Sequence, residues 1–370
     1  AFTIAWFTLT LPNKKAEKRI DILGVLLLSA ATTCLIFFTD FGGKKDEGWD
    51  SPLTWAFGAG MVLAAVAFVL VERRAEDPII PLSLFRNRIF VNSTAIGFTL
   101  GLGMFAAIAF VPTFLQMSSG TSAAESGLLM LPMMVGLMGM AIFSGIRISK
   151  TGKYKMFPIL GATLTIAAML WLTTLTAATP IWIICVQLFI FGAGLGSIMQ
   201  VIVLVVQNSV PAEQIGTATS TNNYFREVGA SLGVAVFGSI FTARLSESLA
   251  RAFTGAGATA EQASQSTRTL DPQALSQLPA QLKDAIVNAY ADSLAPVFWY
   301  LLPFLGIALV LALTLKQIPL SDTAGMVARG EAVGGEEAER QEAERHAGVT
   351  SSPTPAAAAP ADDDLHSLHR

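Results

Sequence analysis

The stretch RISKTGKYK, Arg147–Lys155, holds four cations and no acid between two strongly apolar runs, LLMLPMMVGLMGMAIFSGI before it and MFPILGATLTIAAMLWLTTL after it. A bilayer core needs roughly 20 apolar residues as helix, and each run supplies them. Cations clustered at the junction of two such runs mark a loop held at a membrane surface. This stretch therefore sets the class of the fold: helices that cross lipid, joined by short charged turns.

Composition carries the same message outward. Charged residues are 14% of the 370, against roughly 25% in an ordinary globular chain, and mean hydropathy is +0.56. So little charge cannot cover a soluble fold of this length. From Ser321 onward ten acids face four bases, a net of −6, so the apolar part carries about +3 of the overall −3. Cys34 and Cys185 sit inside apolar runs, which indicates neither a disulfide framework nor a cysteine metal site. The three histidines, His346, His366 and His369, all fall in the acidic tail. GAGLGS at 192–197 lacks the dinucleotide spacing and a preceding strand. Nothing here suits an enzyme, a metal centre or a nucleic-acid binder.

Eight apolar runs are long enough to span: 21–40, 52–72, 90–116, 123–146, 157–178, 180–206, 226–243 and 294–316. They lack the alternation of a membrane barrel and must satisfy their backbone internally, so they are helices. Lys and Arg in the connections alternate with each crossing. Four lie in 13–20 (Lys14, Lys15, Lys18, Arg19), four in 73–89 (Arg73, Arg74, Arg86, Arg88) and four in 147–155, with Arg226 making thirteen. The opposite set holds two, Lys44 and Lys45. The first set is expected in the cytoplasm, and with it the tail 318–370, whose composition predicts disorder. AFTIAWFTLTLP, 1–12, has no basic leader or cleavage site and reads as the last turns of a helix begun upstream. The connection 244–293 then lies outside. Leu275, Leu278, Leu282 and Ile286 form an apolar stripe there, predicting a short amphipathic helix on the membrane surface or over the mouth of the protein.

Ionisable residues inside membranes mark function, but Asp21, Asp40, Glu125, Arg226 and Glu227 all read as helix ends. Neutral amides remain. Gln116, Gln187, Gln200, Asn222 and Asn223 are the candidate cavity residues, each either facing a substrate or bonded to another helix. Gln187 and Gln200, nearer helix middles, are the stronger candidates. Met130, Met133, Met134, Met138 and Met140 crowd one helix, as adaptable pocket lining or as filler against lipid. Gly97 with Gly101, and Gly229 with Gly233, have the spacing that lets helices approach closely. Gly192, Gly194 and Gly196 fall within about one turn and weaken their helix toward bending.

The loop GIRISKTGKYK resembles the motif Gly-x-x-x-Asp-Arg-x-Gly-Arg-x-Arg/Lys of major facilitator transporters. In that family it lies on the cytoplasmic side, between the second and third helices of each six-helix half. Gly145, Lys150, Gly152, Lys153 and Lys155 match in kind, with Ser149 at the acid's position. PIIPLSLFRNRIF, VPTFLQMSSGTSAAESGLLMLP and QNSVPAEQIGTATSTNNYFREVGASLGVAVFGSIF extend the resemblance over about 70–245, toward the fourteen-helix drug:proton antiporters of the EmrB/QacA type.

That resemblance implies an all-α integral membrane protein. Its C-terminal six-helix bundle, 90–317, would be two inverted three-helix repeats, and two linker helices within 13–89 would precede it. It implies proton-coupled multidrug efflux, antibiotic resistance included, of lipophilic or amphipathic compounds by alternating access, without a cofactor. The partners implied are the bilayer, protons, small substrates and an N-terminal bundle that carries the coupling carboxylate. The place implied is a bacterial plasma membrane, with the C-terminus inside. Lys150, Lys153 and Lys155 would touch a helix end and bias the gate, at about 0.3–1 kcal/mol each. The alternatives are a dedicated exporter of one lipid, siderophore or antibiotic, and a non-transporting docking protein.

Overall fold

Among the described residues every regular element is a helix, as backbone groups in lipid require. The structure is a computed structural model that describes residues 21–42, 48–119, 122–255 and 280–317. The expectations for 1–20, for Lys44 and Lys45, for the middle of the 244–293 connection and for the tail beyond 317 lie outside the described residues. The elements are α1 (Ile22–Gly42), α2 (Pro52–Glu72), a 3₁₀ turn (Leu82–Arg86), α3 (Arg88–Ser119) and α4 (Ala123–Leu128). They continue with α5 (Leu131–Thr151), α6 (Met156–Leu172), α7 (Ile181–Asn208), α8 (Ile215–Gly255) and α9 (Ala280–Thr314). The described residues on either side of Pro211–Glu213 form one compact unit. Among the described residues seven helices are long and apolar enough to cross a membrane, α4 and α5 counting as one, and α6 is a shorter apolar helix of 17 residues.

All eight expected runs fall on these helices, but four boundaries move. The run 157–178 ends early, at Leu172. The run 123–146 is interrupted at Leu129–Met130: a Ser122–Glu125 capping box starts α4, and Pro132 then sits in the first turn of α5, where its missing N–H costs nothing. The run 226–243 is the middle of a 41-residue helix. Arg226 and Glu227, expected at a helix end, are therefore well inside α8. Polar residues of its first turns find partners instead of forming a loop: Gln207 donates to Thr219 at 3.4 Å and Asn222 to Thr94 at 3.4 Å. The run 294–316 likewise begins earlier, at Ala280. Ile286, expected on a separate short helix, is fully buried within α9. Leu275 and Leu278 lie outside the described residues.

The helices from α3 onward form two trios, α3–α5–α6 and α7–α8–α9, with matching contacts. The first helix of each trio lies parallel to the second of the other: α3 beside α8, and α7 beside α5. The third packs antiparallel on the first of the other, α9 on α3 and α6 on α7. Glycines permit both parallel seams. A Cβ at Gly192 or Gly196 would strike the carbonyl of Met133 or Leu137 on α5, and one at Gly136 would strike that of Phe189 on α7. Across the other seam Gly229 and Gly233 face the carbonyls of Phe98 and Leu102, while Gly101 faces that of Arg226. Gly97 is looser, with Asn222 at 3.5 Å from a built Cβ. Gly194 points the other way, onto Thr165 and Gly161 of α6, and α7 runs unbroken through all three of its glycines. Without a hydrophobic force between helices in lipid, such close backbone contact is what holds them.

The hairpin α1–α2 stands beside this bundle. Ser51 caps α2 and Pro52 opens it. Phe37, Phe41 and Phe57 pack across the pair at 5.1–5.7 Å between centroids. Its outer surface stays apolar and exposed, Leu63 being 70% accessible, as a lipid-facing helix should be.

Candidate functional site: a groove between α1 and α8

One face of α8 carries Tyr224, Glu227, Ser231, Gly238 and Thr242 in succession, at spacings that keep them on one side. The Tyr224 hydroxyl shares a 2.8 Å hydrogen bond with Thr32 of α1. Beyond that contact a groove of about 760 Å³ lies between the helices. Ile36, Thr39 and Asp40 of α1 line it, with Phe105 of α3 and, on α8, Glu227, Ser231, Ser239 and Thr242 among others. It thus combines apolar wall, hydroxyls and carboxylates. This size and mixture suit a small organic guest.

Glu227 is the chemically distinctive member. Arg226 holds it through Nη2 at 3.0 Å and Nε at 3.4 Å, both on Oε1. The Glu227 side chain is 56% accessible and that of Arg226 19%. Gly101, in the interior of α3, packs on the Arg226 carbonyl, so the pair sits at the depth of spanning helix. An ionisable pair there is costly in hydrocarbon unless it is paired and faces a cavity. Here it does both.

None of the five amides expected to line a cavity lines this groove. Gln187 is buried in the α6–α7 contact, where its Nε2 donates to the Trp171 carbonyl at 3.1 Å. Asn222 is buried and bonded to Thr94. Asn223 is half-buried, with Oδ1 shielded and lacking a donor. Gln116 is half-buried near the end of α3, and Gln200 is exposed on α7. Of the methionines, Met133 is fully buried while Met134 and Met138 are exposed, so one helix serves core and outer surface with the same residue type.

The basic loop is held by a residue the charge count overlooked. Gly145 is exposed, and Gly152 ends α5 in the left-handed region at φ 67°. Lys150 and Lys153 are exposed and Lys155 half-buried. Tyr154 between them is fully buried, and its hydroxyl donates to the Lys316 carbonyl just past α9 at 2.8 Å. An aromatic flanked by lysines has no periodicity to betray it. Glu227 was equally hidden, by a polar neighbourhood that reads as a loop.

Among the described residues, eight apolar helices in two interlocked trios plus a hairpin define a multi-pass helical membrane protein. The chain belongs to the Major Facilitator Superfamily, whose model matches residues 22–234. It is 39% identical over 303 residues to an uncharacterized MFS-type transporter of Mycobacterium tuberculosis, covering 82% of this chain and 43% of that protein. It is 34% identical over 323 residues to the multidrug transporter protein MdtP of Bacillus subtilis, covering 82% and 59%. A tetracycline resistance determinant of Streptomyces rimosus is 33% identical over 224 residues, covering 60% and 64%. The chain thus spans less than two-thirds of each of these relatives.

Proposed function

We propose that the chain is the C-terminal part of a proton-coupled exporter of lipophilic and amphipathic compounds, working by alternating access. The observation that carries this reading is the groove beside α8, with the paired carboxylate Glu227 at spanning depth. A docking protein has no use for such a hollow. Two of these relatives, a multidrug transporter and a tetracycline resistance determinant by name, support export as the task. In this reading 90–317 is the C-terminal bundle, 13–89 brings the two linker helices, and 318–370 is a cytoplasmic tail. The carboxylate that carries the proton belongs to the partner bundle upstream. Lys150, Lys153 and Lys155 bias the gate from the cytoplasmic face of a bacterial plasma membrane.

Glu227 contributes by meeting the polar end of a guest whose apolar part lies on Ile36, Phe105 and Val234. The test is efflux of several unrelated lipophilic dyes from energised vesicles that contain the whole transporter. Expected are export of more than one dye, collapse of export with the proton gradient, and at least a tenfold loss in Glu227→Gln. Export of none of the dyes would favour a dedicated exporter, and gradient-independent export would remove proton coupling.

A further inference from the structure

Arg244 lies in the part of α8 that is apolar enough to cross a membrane, a stretch that runs as far as Arg251. It is half-buried at the edge of the α8–α9 contact. Its Nη2 donates to the Tyr300 hydroxyl of α9 at 2.8 Å, and its guanidinium carbon stands 5.6 Å from the centre of the Tyr300 ring. Neither contact supplies a negative charge. Glu247, the next acid along α8, is joined to Arg251 at 3.8 Å, and among the described residues no carboxylate pairs with Arg244. A cation on a spanning helix is costly unless it meets a counter-charge or reaches the head-group layer.

Position along α9 fixes the depth. That helix ends at Thr314, beside the Lys316 carbonyl that Tyr154 ties to the basic loop. From Thr314 to Tyr300 the helix rises about 21 Å at 1.5 Å per residue, and the Tyr300 side chain leans further the same way. Its hydroxyl therefore sits near the far boundary of a bilayer core roughly 30 Å thick. The large apolar side chains that α9 exposes are Trp299, Tyr300, Ile307, Val310 and Leu313, and the next exposed position beyond the two aromatics is Asp292. Trp and Tyr at the limit of a lipid-facing stripe mark the head-group layer. From Tyr300 back to Val310 is about 15 Å, the depth of one leaflet of acyl chains. A guanidinium has five N–H donors, and Tyr300 occupies one. The remaining fork fits phosphate oxygens two at a time, which a lysine cannot do.

We propose that Arg244, with Tyr300 and Trp299, seats the phosphate of an anionic phospholipid in the leaflet opposite the basic loop, its acyl chains lying along Ile307 and Val310. A zwitterionic lipid offers the same phosphate already balanced by its own ammonium, so the uncompensated guanidinium selects the anionic one.

The test titrates the whole transporter that carries this chain, in a neutral detergent, with phosphatidylglycerol or phosphatidylcholine, and counts retained lipid by native mass spectrometry. The parent should hold one phosphatidylglycerol about fivefold more tightly than phosphatidylcholine, the contribution of one Arg at an anionic head group. Arg244→Gln should abolish that preference, and Tyr300→Phe, which keeps the ring, should weaken it less. Arg244→Lys keeps the charge without the fork and should retain only part of the preference, so it carries the test if Arg244→Gln does not fold. Three results would overturn the proposal: an unchanged preference in Arg244→Gln or Arg244→Lys, equal retention of both lipids by the parent, or displacement of the lipid by millimolar inorganic phosphate. The second would leave only an apolar seam, and the third a site for free phosphate.

Discussion

The α3–α8 and α5–α7 seams are built alike and filled differently. In both, parallel helices approach until a glycine on one lies on a carbonyl of the other. The α5–α7 seam is lined by Met133, Leu137 and Phe189, and beyond it α5 presents Val135, Met138 and Ile142 outward. The α3–α8 seam carries Asn222 on Thr94, the Arg226–Glu227 pair and one wall of a groove. Since close packing is achieved equally well by the dry seam, packing does not call for the polar groups of the wet one. They are retained against the cost of placing them in a membrane, which points to a task beyond holding helices together.

The comparison is broken most severely by filling a glycine. Gly192→Val and Gly229→Val each drive a side chain into backbone that cannot yield, and both should lose nearly all monodisperse protein in detergent chromatography. If one seam tolerated the change, the two would not be equivalent. The next largest effect separates the seams by function. Glu227→Gln should leave the chromatogram unchanged while cutting dye efflux at least tenfold, and Gln187→Met on the dry side should leave efflux near the parental rate. Tyr154→Phe removes a buried hydrogen bond to Lys316 and should lower unfolding stability by about 1 kcal/mol. Thr94→Val takes the acceptor from Asn222 and should cost about 0.6 kcal/mol in denaturant titration, a typical value for such bonds between membrane helices.

Spans and seams were readable in advance because each rests on a local pattern. Length and hydropathy located the helices, and four-residue glycine spacing located Gly229–Gly233 and Gly97–Gly101. Gly136 escaped because its partners lie on another helix and it has no glycine four residues away. The groove was not readable for a related reason. TSTNNYFRE, 219–227, looks like a loop until Thr94, Gln207 and Thr32 are brought to it, and only then do Arg226 and Glu227 move from a helix end to its interior. Gln187 reversed in the opposite sense. A glutamine near a helix middle suggests a lining residue, yet its amide donates to the Trp171 carbonyl at the end of α6. Burial of a polar side chain depends on which backbone groups fall within its reach, and that is a property of the assembled fold.

The buried Tyr154 has a consequence for how the basic loop meets a protease. Trypsin must draw several residues on both sides of a lysine into its cleft in extended form. Lys153 is exposed and Lys155 half-buried, but the residue between them is sealed against the end of α9. This basic loop should therefore resist digestion in the folded protein, and its cleavage should report the release of Tyr154.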